Sequence, residues 1–163
     1  MSLADDWFAI NNAIATYVVA VDTRDMRLLD QVFTKDARID LATVGVLDPA
    51  AYAELCNTVL PGLDATQHHL GLPVIAIEGD KAQARTYFIA QHTRNALAPD
   101  PHFLVGGWYD DEFARTAEGW RITSRIGTAA WFDGNAQVLG QDIPAGAPPR
   151  TAGHAAPAWL IPR

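Results

Sequence analysis

One cysteine, Cys56, is all the chain has. A disulfide within the chain and any multi-cysteine metal site are thereby excluded. Cys56 sits in a helical pattern, "YAELCNTVL". Free cysteine in such a place is usually a buried, inert filler. Positive charge is also scarce: 12 Lys and Arg stand against 19 Asp and Glu, a net charge of −7. That balance argues against nucleic acid, whose phosphates need a basic face, and against anionic membrane surfaces. No apolar run approaches the ~20 residues that span a bilayer. The opening "MSLADDWF" is acidic and lacks the basic-then-apolar order of a signal peptide. A cytoplasmic protein is predicted. There is no glycine-rich phosphate loop and no GxSxG elbow, and no cofactor is expected. No internal repeat is visible.

What is there is an ordinary globular composition, 49% hydrophobic and 19% charged in 163 residues. One domain with a substantial core follows. In residues 3–22, Trp7, Ile10, Ile14, Tyr17 and Val21 recur at steps of three and four, the stripe of an amphipathic helix. Asp22 closes it, beside the stripe and not opposite it. A second helix is expected over 23–33, with Met26, Leu29, Val32 and Phe33 inward. "ARIDL", 37–41, reads as a short strand. Asp48 and Pro49 open a third helix as N-cap and first helical residue.

From there to about residue 133 the chain reads as strands. Residues 68–94 form two around a tight "EGDK" turn, and residues 102–132 form two more around "TAEGW". Gly106-Gly107 marks a bulge or close approach. Helices first and strands afterwards predict an α+β architecture, helices packed on one face of a curved sheet, with a pocket between them. Residues 1–139 form the domain. Residues 140–163 are rich in proline, alanine and glycine and form a tail, either disordered or docked on a neighbouring subunit through its apolar "AWLIP" end.

Four positions could carry chemistry. Asp22 is a helix-end acid, solvated or facing the pocket. His68 and His69, in "TQHHLG", point to opposite strand faces. Periodicity does not choose between them: Leu70, Leu72 and Val74 share the face of His68, Ile75 and Ile77 that of His69. His92 shares its face with Ala82, Ala84, Thr86, Phe88 and Ala90, so it points to the apolar side and needs a partner or a purpose. Arg125 is mid-strand, paired with a carboxylate or placed to hold a developing negative charge. Adjacent strand histidines diverge, which makes "HH" a poor chelate, and no metal site is expected. Tyr17, Phe88, Trp108 and Trp131 are candidate pocket walls or plain core.

In this order, the residues resemble the SnoaL-like branch of the nuclear transport factor 2-like superfamily, over nearly all of 5–135. Three segments carry the likeness: "ATYVVAVDTRDMRLLDQVFTKDARIDL", "TQHHLG" and "VGGWYDDEFARTAEGWRITSRIG". The resemblance is to its scytalone dehydratase and hexachlorocyclohexane dehydrochlorinase members. It implies a cone: a curved mixed sheet wrapped around helices, with the active site inside. It implies a histidine base held by an aspartate, at His68 and Asp22, with His69 facing outward. It places an arginine that assists leaving-group departure at Arg125, and a second site histidine at His92. It implies a small, largely apolar substrate, cyclic ones included, and a homodimer or homotrimer joined through the outer sheet face. The departures are Tyr17 where the dehydrochlorinase has lysine, and Val21 and Leu41 where the dehydratase has tyrosines. The expected function is a lyase or isomerase of dehydratase type. A non-catalytic ligand-binding protein, or an assembly subunit like the small subunits of ring-hydroxylating dioxygenases, is the alternative.

Overall fold

The computed structural model describes residues 2–41, 44–141 and 156–160. Most of the expected tail, His154 included, lies outside the described residues. Helix α1 spans Leu3–Thr23. Ser2 caps it: its hydroxyl accepts from the Asp5 amide, and the Asp5 carboxylate accepts from the Ser2 amide. The buried stripe runs through Ile10, Ile14, Tyr17 and Val21 as expected, but it begins at Asp6 and not at Trp7, which is exposed. Asp6 is drawn inward because its carboxylate accepts from the Arg115 guanidinium and the Trp120 indole.

The expected second helix shrinks to a 3₁₀ turn, Met26–Gln31. The chain beyond it is claimed by the sheet: the Val32 carbonyl accepts from the Ile122 amide at 2.7 Å. Strand β1 therefore starts early and runs Phe33–Leu41. Strand β2 is Gly45–Leu47, and helix α2 is Pro49–Val59, capped by the Asp48 carboxylate on the Ala51 amide.

Strands β3 (Ala65–Leu70), β4 (Val74–Glu78), β5 (Lys81–Thr93), β6 (His102–Thr116) and β7 (Gly119–Gly134) complete a seven-stranded sheet. Its order is β2-β1-β7-β6-β5-β3, with β4 also on β5, and β1–β7 is its one parallel pair. The architecture is the expected α+β one. The helices lie on one face, and the core joins Ile10, Ile14 and Val21 to Phe103, Phe113 and Ile122.

The first expected hairpin has three strands, not two. Leu70 faces Phe88, but Val74 faces Arg85. Three residues, Gly71 to Pro73, thus oppose two. The slip of one residue flips every later side chain to the other face. Ile75 and Ile77 therefore share the inner face with His68, and Val74 is exposed. A second slip falls at the expected glycine pair: Gly107 faces Ala129, but Gly106 faces Trp131. A Cβ on Gly107 would lie 1.9 Å from the Thr128 carbonyl oxygen, so the bulge requires glycine there.

Candidate active site

A cavity of about 410 Å³ opens between α1, α2 and the inner sheet face. Apolar side chains make most of it, Val21, Leu41, Leu55, Val59, Phe88 and Val105 among them. His68 and His92 line it. Such a space suits a small apolar molecule.

Asp22 lies in the last turn of α1. Arg24, in the left-handed conformation at φ 60°, stops the helix two residues later. Its guanidinium donates to the Leu63 carbonyl at 2.7 Å, tying the helix end to the chain entering β3. β3 is an edge strand, so some of its backbone amides lack a ladder partner. Asp22 Oδ2 accepts one of them, the His68 amide, at 2.9 Å, and Oδ1 holds the His68 ring Nδ1 at 2.7 Å. A carboxylate can only accept, so Nδ1 carries a hydrogen, and in the neutral ring Nε2 is then the nitrogen with the lone pair. The His68 side chain is only 7% exposed. Burial pushes the Asp22 carboxyl up, yet the two His68 hydrogen bonds and the nearby imidazoles outweigh it and hold the group below its ordinary value. The arrangement is an imidazole oriented at a cavity wall, with Nε2 directed away from a carboxylate that grips the other ring nitrogen.

His92, on β5, stands 5.8 Å from His68, ring to ring and perpendicular. Its Nδ1 lies 3.3 Å from the Phe103 carbonyl, to which it must donate. Its Nε2 is therefore also a bare acceptor. Burial, and then repulsion from His68, lower its pKa to about 4. At neutral pH His92 carries no charge and offers the cavity no hydrogen.

Arg125 is fully buried, 0% exposed, and does not line the cavity. Its Nε and Nη2 donate to the two oxygens of Asp111, each at 2.7 Å. Its guanidinium stacks over the rings of Tyr17 at 4.2 Å and Tyr109 at 4.3 Å, behind the cavity wall. It is the carboxylate-paired mid-sheet arginine that the sequence allowed.

Of the four candidate walls, Tyr17 and Phe88 line the cavity. Trp108 and Trp131 do not. They line a separate groove on the outer sheet face, with His69, Tyr87 and Ile89. Trp108 alternates with the inward Tyr109. Trp131 shares the parity of Ala129 in sequence, but the Gly106/Gly107 slip turns it out and brings in Phe132, which stacks on Phe103. Sequence reading missed Tyr52, Tyr109 and Asp111. Strand alternation from His92 through its partner Phe103 would have found Tyr109 and Asp111, had the register been known.

The profile of the SnoaL-like domain family matches residues 3–126. The chain belongs to this family. Within the nuclear transport factor 2-like superfamily, this SnoaL-like protein is 34% identical over 128 residues to Rv2910c of Mycobacterium tuberculosis, an uncharacterized protein, covering 76% of this chain and 84% of that one. The Kfla4162 protein from Kribbella flavida has the same fold, with a TM-score of 0.78, 26% identity, and 85% and 99% of the two chains covered. The hexachlorocyclohexane dehydrochlorinase LinA-type3 from Novosphingobium barchaimii LL02 shares the fold too, with a TM-score of 0.69, 19% identity, and 78% and 88% covered. The matched region of the SnoaL-like chain contains Asp22, His68, His92 and Arg125. None of its helices is long and apolar enough to cross a membrane, among the described residues.

Proposed function

We propose that the protein is a cofactor-independent lyase or isomerase of dehydratase type. His68 Nε2 removes a proton from carbon of a small, largely apolar substrate. Asp22 fixes the tautomer and stabilises the imidazolium as it forms. The electron pair of the broken C–H bond becomes a double bond. In elimination the C–O or C–halogen bond on the next carbon breaks as that double bond forms, and its electron pair leaves with the hydroxyl or halide; in isomerisation an existing double bond shifts and the proton returns from His68 to a different carbon. The observation that carries this reading is the two-point grip of Asp22 on His68 at the wall of a mostly apolar hollow. The fold it shares with a dehydrochlorinase supports it.

Two roles change from the resemblance. Arg125 does not touch the substrate, because Asp111 and two tyrosine rings enclose it. His92 receives a hydrogen bond from a substrate hydroxyl or a water and does not donate one. The outer groove around Tyr87, Ile89 and Trp131 is the contact between copies in a dimer or trimer.

The test is turnover of His68→Gln on a substrate found by screening small carbonyl and hydroxy compounds for loss or rearrangement. Loss of about 10²–10⁴-fold is expected, the usual share of a general base. His69→Gln, on the outer face, should turn over as the wild type does. Ligands recovered unaltered from the wild type would favour binding without chemistry.

A further inference from the structure

Two imidazoles face one cavity, and each has its other nitrogen tied elsewhere. His68 sits on β3 and His92 on β5. His68 lies opposite Ala90 and His92 opposite Thr66, so the two histidines are diagonal neighbours on the inner face. His68 and His69 cannot make such a pair, because neighbours on one strand diverge. The His68 and His92 rings are perpendicular, with centroids 5.8 Å apart. His68 Nδ1 donates to the Asp22 carboxylate at 2.7 Å, and His92 Nδ1 to the Phe103 carbonyl at 3.3 Å. In the neutral rings both lone pairs are then on Nε2, and both residues line the cavity.

A histidine that ligates a metal almost always donates its other ring N–H to a carboxylate or a backbone carbonyl, which fixes tautomer and ring orientation. His68 shows the first form and His92 the second. The separation fits as well. Nitrogens about 2.0–2.1 Å from a shared ion set two imidazole centroids about 5.2 Å apart at a tetrahedral angle and about 6.4 Å apart in line. The observed 5.8 Å falls between the two. Charge agrees: no Lys or Arg lines the cavity, and the Asp22 carboxylate stands behind His68. Arg125, the buried cation behind the wall, is neutralised by Asp111. Among the described residues no third His, Cys, Asp or Glu joins the pair. An ion there keeps open positions, which water or a ligand oxygen fills. Imidazole suits zinc and copper, and both stand high in the affinity order of divalent ions.

We propose that His68 Nε2 and His92 Nε2 bind one divalent transition-metal ion, zinc or copper, at the cavity wall. Each nitrogen gives its lone pair to the ion, and no proton moves. The site is inhibitory. The ion takes the lone pair with which His68 removes a proton, so metal and substrate exclude one another. The inhibition rests on His68 as base, and the binding does not.

The probe is Zn²⁺, titrated into the full chain and followed by calorimetry. One saturable site at micromolar zinc is expected. His68→Gln and His92→Gln should each weaken it at least about tenfold, and Asp22→Asn, which removes the outer partner, about 10–100-fold. His69→Gln, on the outer face, should bind zinc as the wild type does. NMR with ¹⁵N-labelled histidine reads the geometry directly. One equivalent of zinc should shift Nε2 of both His68 and His92 and leave both Nδ1 hydrogens in place. Circular dichroism of each variant separates a lost ligand from a lost fold. No saturable site at micromolar zinc, or a site that survives both glutamine variants, overturns the proposal. Zinc bound at both histidines with turnover unimpaired overturns the base assignment alone.

Discussion

Replacing Asp22 with asparagine tests the dyad without any substrate. The wild-type carboxylate faces two donors, the His68 amide at 2.9 Å and the ring Nδ1 at 2.7 Å. Asparagine offers one acceptor and one NH₂ donor. The backbone amide cannot change, so the asparagine oxygen turns to it and the NH₂ faces Nδ1. Nδ1 must then accept, and the ring hydrogen moves to Nε2. The opposite placement sets two donors against each other and costs about 1–3 kcal/mol. Loss of the charge-assisted bond to the forming imidazolium adds about 1–1.5 kcal/mol. Together these amount to roughly 10²–10³-fold in any rate that needs Nε2 as base. The direct assay is NMR of the protein with ¹⁵N-labelled histidine at neutral pH. His68 should carry its hydrogen on Nδ1 in the wild type and on Nε2 in Asp22→Asn. The same Nδ1–H form in both proteins would refute the reasoning. Linkage gives a second check. The folded-state pKa of Asp22 is lowered, so its charge stabilises the fold above the unfolded value of about 4. That stabilisation fades as pH falls through the folded pKa, and the wild type should lose its advantage over Asp22→Asn there.

Three further outcomes follow from the same contacts. His92 titrates at about 4 in the fold, against a usual 6.5. Stability is then full above pH 6.5 and declines by about 3 kcal/mol on the way to pH 4, and in His92→Gln denaturation midpoints should vary less over that window. Arg125→Met strands the buried Asp111 carboxylate and should cost about 3–5 kcal/mol, whereas Arg125→Met with Asp111→Leu should recover most of it in urea unfolding. Gly107→Ala drives a Cβ into the Thr128 backbone and should lower Tm more than Gly106→Ala, whose Cβ meets only the Trp131 indole on the outer face.

The architecture was legible because its signals are local. The stripe of α1, the Asp48-Pro49 start of α2 and the long strands each announce themselves within a dozen residues. The 3₁₀ turn at Met26–Gln31 was not legible, because its apolar residues fit a helix and what cuts it short is the Ile122 amide, about ninety residues away. Asp22 and His68 could be singled out, yet nothing near either one reveals that they meet. Their contact depends on Arg24 stopping the helix and tying it to Leu63. Arg125 was legible as a paired residue but not its partner, since Asp111 faces it only through the β6–β7 register.

The walls of the cavity turn on two slips of one residue, at Gly71–Pro73 and at Gly106/Gly107. The first makes alternation useless for choosing between His68 and His69. Ile75 and Ile77, which share parity with His69, lie on the inner face with His68. The second sends Trp131 outward and Phe132 inward, which leaves the inner face of β6 and β7 small at Gly107, Gly127 and Ala129. Bulky residues there would fill the space that a ligand occupies. The second slip and the plain alternation of β5 and β6 together divide the aromatic residues. Tyr17, Tyr52, Phe88 and Tyr109 stand around the cavity. Trp108, Trp131 and Tyr87 go to the outer face, where an apolar surface suits another copy of the chain. Removing the second slip would turn Trp131 inward and Phe132 outward and crowd the cavity beside Gly127 and Ala129, so the bulge keeps that space open.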